Sequence, residues 1–174
     1  HVLDRLHFDI HGLWCETTDC AAGRAHILLH TQIRNTHDAV RSATIRARVL
    51  APDGNTVLEI THDAQCAEGE TQLAIPMSVD APRLWSPDCP NLYHVDVTLE
   101  AGGTVLETRT IPLGIRSFCF DATDGFFLNG APLKIQGVNA HQDFAGVGVA
   151  LPDRLHEKRV ELAKELGANA FRCA

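Results

Sequence analysis

Basic residues are scarce in this chain. Fifteen lysines and arginines stand against 22 aspartates and glutamates, a formal charge of −7. A nucleic-acid partner would need a basic face, so that class is disfavoured. No apolar run approaches the length of a bilayer span, so no membrane partner is expected; no signal peptide is visible, which says little of a chain that opens as this one does. An initiator Met is missing as well: the chain opens at His1, as a processed or cut polypeptide would. The six cysteines (Cys15, Cys20, Cys66, Cys89, Cys119 and Cys173) never adopt the paired CxxC spacing of a zinc site. At 174 residues the chain is also too large to need a disulfide framework. Buried free thiols are therefore expected, with Cys15 and Cys20 the one pair near enough for a local bridge, and the compartment stays open. Gly146-x-Gly148 lacks the third glycine of a dinucleotide loop, because Leu151 stands in its place. His141-x-Asp143 offers two ligand types without a third or fourth at metal spacing. No cofactor and no metal are expected.

What is present is an ordinary globular composition, 45% hydrophobic and 21% charged, enough for one domain or one domain plus part of another. Up to about Ser117 the dominant signal has period two. Ile27, Leu29, Thr31 and Ile33 alternate with His26, His30 and Gln32; Ile45, Ala47 and Val49 alternate with Arg46 and Arg48. Thr71, Leu73 and Ile75 continue the habit, as do Tyr93, Val95, Val97 and Leu99. Each run suits a strand with one face in a core and one in water. Asp53-Gly54 reads as a turn, and Gly102-Gly103 as the tip of a hairpin. About seven strands in just over a hundred residues predict a two-sheet sandwich of the immunoglobulin type over residues 1–117. His37-Asp38 and His62-Asp63 fall in predicted turns and suggest no chemistry.

After Ser117 the pattern changes. Phe126-Phe127-Leu128, Asn129-Gly130 and Pro132–Ile135 predict a tight hairpin, and Lys134–Val138 a short strand. Pro152-Asp153 opens a helix with Leu155, Leu162, Ala163 and Leu166 on one face, and Gly167 closes it. Asn169–Cys173 then begins another strand. Strand, helix, strand is one unit of a parallel sheet, and such a unit is buried on both faces. Residues 118–174 are thus expected to form an incomplete βα portion of a larger parallel fold, poorly ordered or held by contacts with the sandwich or another copy.

Several stretches carry a family resemblance. Pro82-Arg83-Leu84-Trp85-Ser86-Pro87-Asp88, continuing through Pro90, Leu92 and Tyr93, resembles the sandwich-domain signature of glycoside hydrolase family 2, as does Gly114-Ile115-Arg116. Asp124–Gly130, Gly137-Val138-Asn139-Ala140-His141-Gln142-Asp143 and Leu166–Arg172 resemble the opening of that family's catalytic barrel. The resemblance implies a mainly β fragment: an immunoglobulin-like β-sandwich followed by the incomplete N-terminal βα portion of a (β/α)8 barrel. It implies a parent that is a retaining exo-β-glycosidase acting on a β-glycoside or oligosaccharide, with a β-galactosidase preferred over a β-glucuronidase, and it leaves room for a homo-oligomer. Retaining hydrolysis needs two carboxyl groups about 5–5.5 Å apart. In the family both are glutamates further along the barrel, and no acidic residue here matches either motif. No catalytic residue is assigned, and the fragment is expected to be inactive.

By the same resemblance, the substrate-binding candidates are His141, Asp143 and Arg172. His141 matches a histidine that hydrogen-bonds glycone hydroxyls, and Asp143 an acidic position that touches the sugar in the glucuronidase branch. Arg172 matches an arginine beside the nucleophile, where fixed positive charge keeps a carboxylate ionised. Ala140 and Gln142 depart from the family pattern, where Arg or Lys and Glu are usual. Without the resemblance, His141 would be one of ten ordinary histidines, Asp143 a turn residue, and Arg172 the partner of a helix carboxylate such as Glu165. Trp85 and Trp14 read as core or domain-packing residues. The competing functions are a non-catalytic β-sandwich module that binds carbohydrate, or a purely structural domain. A carbohydrate module would want exposed aromatics, and only Trp14, Trp85 and Tyr93 stand beside seven Phe.

Overall fold

A computed structural model describes residues 4–21 and 23–173. The chain divides into two compact units, His1–Ser117 and Phe118–Ala174.

Among the described residues the first unit holds seven strands: β1 (Leu6–Ala21), β2 (Arg24–Asn35), β3 (Arg41–Leu50), β4 (Thr56–Cys66), β5 (Gly69–Asp80), β6 (Tyr93–Ala101) and β7 (Thr104–Leu113). They form two antiparallel sheets, ordered β1-β2-β5 and β4-β3-β6-β7. This is an immunoglobulin-like sandwich in which the fourth strand pairs with the third; in the constant-type arrangement it would lie beside the fifth. The period-two residues face each other across the sheets. Ile27, Leu29 and Ile33 of β2, Ile45 and Val49 of β3, and Val95, Val97 and Leu99 of β6 are all fully buried. Each such side chain contributes about 1.5–3 kcal/mol of transfer free energy. Gly102 and Gly103 take φ of 57° and 78° between paired Ala101 and Thr104, the doubly left-handed turn that a twisted two-residue hairpin requires.

Two features of this unit were not legible in the sequence. His62 and Asp63 lie within β4 and not in a turn, and Asp63 accepts a 2.7 Å bond from Thr44 on β3. β1 pairs with β2 on either side of an excursion over residues 9–12, where the register jumps from Phe8↔Ile33 to Leu13↔Thr31. A Cβ on Gly12 would stand 2.7 Å from the Gln32 carbonyl oxygen, so the excursion closes only with glycine there.

The cysteine expectations need correction. All six are free, yet only Cys66 is buried; Cys89, Cys119 and Cys173 are exposed. Cys15 and Cys20 lie on the same strand, pairing with Leu29 and Ala25. Five residues of strand separate them by about 16 Å, far beyond the roughly 7 Å Cα limit of a disulfide.

The second unit opens with a three-stranded antiparallel meander of β8 (Phe118–Asp121), β9 (Gly125–Leu128) and β10 (Ala131–Pro132). Asn129 and Gly130 turn β9 into β10 with φ of 52° and 77°. Then come β11 (Gly137–Ala140), α1 (Asp153–Glu165) and β12 (Ala170–Cys173), with β11 and β12 parallel and adjacent. The first parallel strand therefore starts three residues later than its predicted Lys134. Asn169 is the reason: its side chain accepts from the Gln136 N–H at 2.8 Å and donates to the Lys134 carbonyl at 2.9 Å, which occupies the backbone there. Gly167 (φ 85°) ends α1 in a Schellman motif, with Gly167 N–H donating to Lys164 and Ala168 N–H to Ala163. The predicted apolar helix face is present but mostly uncovered. Only Ala163 is buried, while Leu162 and Leu166 are 46% and 84% exposed.

Candidate functional site

In a parallel βα unit the loops after the strands carry chemistry, because they converge at the C-terminal edge of the sheet. The β11–β12 register sets this edge: Asn139 pairs with Arg172 and Ala140 with Cys173. Pairing partners in a parallel ladder project to the same face, so Asn139 and Arg172 are side-by-side neighbours, about 4.8 Å apart between strands. His141 follows immediately after β11. His141, Asp143 and Arg172 are all exposed. No ion pair among the described residues joins Arg172 to Glu165.

The loop after β11 is fastened from α1. Arg159 donates through one Nη to the His141 carbonyl at 2.8 Å and through the other to the Asp143 carbonyl. Its guanidinium also lies over the Phe144 ring, 4.9 Å from the centroid. Phe144 and Gly148 close the next turn with two reciprocal 3.0 Å backbone bonds, and Gly146 and Gly148 provide its left-handed φ of 84° and 74°. Among the described residues, no group of three or more His, Cys, Asp or Glu could hold a metal ion. No helix there is long and apolar enough to cross a membrane.

The sandwich motifs proved structural. Trp85 N–H donates to the Ile115 carbonyl at 2.8 Å, and the Arg116 guanidinium lies 4.9 Å from the Trp85 ring centroid. A Cβ on Gly114 would come within 3.1 Å of that ring. The Tyr93 hydroxyl accepts from the Arg83 N–H at 2.8 Å. Trp14 does not join the core: it is 43% exposed and stacks on His30 at 4.8 Å, with planes 5° apart.

Residues 8–116 match the glycosyl hydrolases family 2 description, and residues 122–174 match the family's TIM barrel domain. The chain belongs to glycosyl hydrolase family 2. A Bacteroides ovatus β-galactosidase is 30% identical over 97% of this family 2 chain and 20% of its own length. A Bacteroides fragilis β-glucuronidase is 36% identical over 80% of the chain and 21% of its own length. A solved family 2 structure from Bacteroides cellulosilyticus superposes with a TM-score of 0.93 at 30% identity, covering 99% of this chain and 24% of that one. The chain thus spans about a fifth of the length of the curated relatives it matches. Its mainly β fold is the family 2 immunoglobulin-like domain followed by the start of the TIM barrel.

Arg159 and Asn169 are the site residues that sequence reading missed. Both act on backbone atoms; Arg159 had no signal beyond its place on an amphipathic helix, whereas Asn169 lies inside the Leu166–Arg172 stretch that carries the family resemblance.

Proposed function

We propose that this chain is part of a retaining exo-β-glycosidase. In this reading residues 1–117 are a supporting sandwich, and residues 118–174 are the first part of the catalytic barrel and one edge of its sugar pocket. His141 and Asp143 contact the glycone, and Arg172 supplies fixed positive charge beside the carboxylate nucleophile. The observation that carries the reading is the β11–β12 register, which sets Arg172 beside Asn139 two residues before His141, at the strand ends where barrel sites form. The two carboxyl groups of the mechanism belong to the rest of the barrel, so this chain alone is expected to be inactive.

The proposed substrate is a β-galactoside. The Bacteroides ovatus relative, a β-galactosidase that aligns with 97% of the chain, supports that choice. The 36% identity to a Bacteroides fragilis β-glucuronidase favours a β-glucuronide as the second reading. The intact parent enzyme should be assayed with p-nitrophenyl β-galactoside and p-nitrophenyl β-glucuronide, and the anomer of the first product read by NMR. Galactoside cleavage with retention supports the proposal. Cleavage of the glucuronide alone transfers it to the second reading, and hydrolysis of neither, or inversion, sinks the reaction assigned.

A further inference from the structure

We propose that Arg159 is a positioning residue for the sugar pocket: it holds the loop that carries His141 and Asp143 and does not itself meet substrate. The inference rests on the reading of those two residues as glycone contacts. One guanidinium on α1 makes three attachments to consecutive parts of the loop, at the His141 carbonyl, the Asp143 carbonyl and the Phe144 ring. Hydrogen bonds from a charged donor are the stronger kind, and arginine's rigid fork suits two acceptors set side by side. Fixing the carbonyls of residues 141 and 143 fixes the peptide planes that follow His141 and Asp143, and with them the directions from which the two candidate side chains leave the backbone.

The loop has little else to hold it. His141, Gln142 and Asp143 are exposed, and the following turn relies on two left-handed glycines. That turn is nonetheless closed by reciprocal backbone bonds between Phe144 and Gly148. Arg159 therefore ties an exposed tripeptide to a closed turn on one side and to a helix on the other. A binding constellation must be held within about 0.5 Å of its productive geometry, and a 1 Å error can cost about a hundredfold in rate. Lysine could reach one carbonyl but could not bridge two while lying flat on a ring.

The test is a double-mutant cycle in the intact parent enzyme, using Arg159→Met, Arg159→Lys, His141→Ala and the pair Arg159→Met with His141→Ala. The readouts are kcat and KM on the p-nitrophenyl glycoside it cleaves, and Ki for the matching free sugar. Arg159→Met is expected to lower kcat/KM by about 10- to 100-fold, raising KM and Ki. Arg159→Lys should recover part of the loss. The losses in the double variant should be clearly less than multiplicative, because Arg159→Met already impairs the His141 contact that His141→Ala removes and adds only the disturbance at Asp143. A loss of folded enzyme would instead lower kcat and leave KM and Ki unmoved, which overturns the proposal. So does a double variant whose losses multiply. If Arg159→Met does not fold, the same cycle run with Arg159→Lys decides. Should His141→Ala retain full activity, the glycone reading of His141 falls and this proposal falls with it; an impaired His141→Ala beside an unimpaired Arg159→Met sinks the positioning role alone.

Discussion

Arg109 on β7 holds the backbone of Phe8 on β1: it donates to the Phe8 carbonyl at 2.8 Å while its guanidinium carbon lies 5.8 Å from the Phe8 ring centroid. The same side chain donates to the Asp9 carbonyl at 2.7 Å, and its ion-pair partner Glu107 accepts the Phe8 N–H at 2.9 Å. These bonds serve β1 at the point where it leaves its pairing with β2. Two edge strands from opposite sheets are thus joined by one Glu–Arg pair that replaces missing ladder bonds.

Replacing Arg109 by Met keeps the apolar stem and removes the donors. The half-buried carbonyls of Phe8 and Asp9 then lose charge-assisted partners, and a loss of about 2 kcal/mol is expected from such bonds. Urea unfolding checks it, as a lowered midpoint with an unchanged slope.

Thr31 points into the core with its Oγ1 unpartnered among the described residues, and the residue is 1% exposed. Thr31→Val exchanges that hydroxyl for a methyl of the same shape. The expected result is a gain of about 1 kcal/mol, since an unsatisfied buried hydroxyl costs about 1–3 kcal/mol. Equal or lower stability in a thermal melt would show that the hydroxyl is satisfied.

Asp96 is held below the usual carboxylate range, first by the Thr110 hydroxyl at 2.6 Å and then by Arg48 at 2.9 Å. A carboxylate depressed in the native state adds stability above its unfolded value of about 3.9, and that contribution fades as pH falls through the lower native value. Asp96→Asn should therefore destabilise the protein at neutral pH and flatten the acid limb of stability below about pH 4. Parallel acid limbs in the two proteins would rule out this role.

Burial pushes the Cys15 thiol up to about 12 and raises that of Cys66. Cys89, Cys119 and Cys173 are exposed. Alkylation by iodoacetamide at pH 8, followed by peptide mass spectrometry, should label those three within minutes and spare Cys15 and Cys66 until the protein is unfolded.

Patterns carried by neighbouring residues were readable before any coordinates. The alternation of Ile27, Leu29, Thr31 and Ile33 defines a strand with one buried face because side chains on a strand change sides at every residue. Asn129-Gly130 and Gly102-Gly103 define hairpins because few residues tolerate left-handed φ, and Gly167 ends its helix for the same reason. The barrel opening and its candidates His141, Asp143 and Arg172 were legible only through resemblance, since no local spacing ties residue 141 to residue 172.

What the sequence determined by itself was therefore the strands, the turns, the helix and the change of architecture after Ser117, all set by periodicity and backbone preference within a few residues. Tertiary structure alone decided that β4 pairs with β3, that Arg109 mends the edge of β1, that Asn169 delays the start of β11, and that Arg159 grips the loop after it. Each of these joins a side chain or strand to backbone groups distant in sequence. Any carbonyl can accept such a bond, so the choice among them is made by packing in three dimensions and leaves no mark on the residue that accepts it.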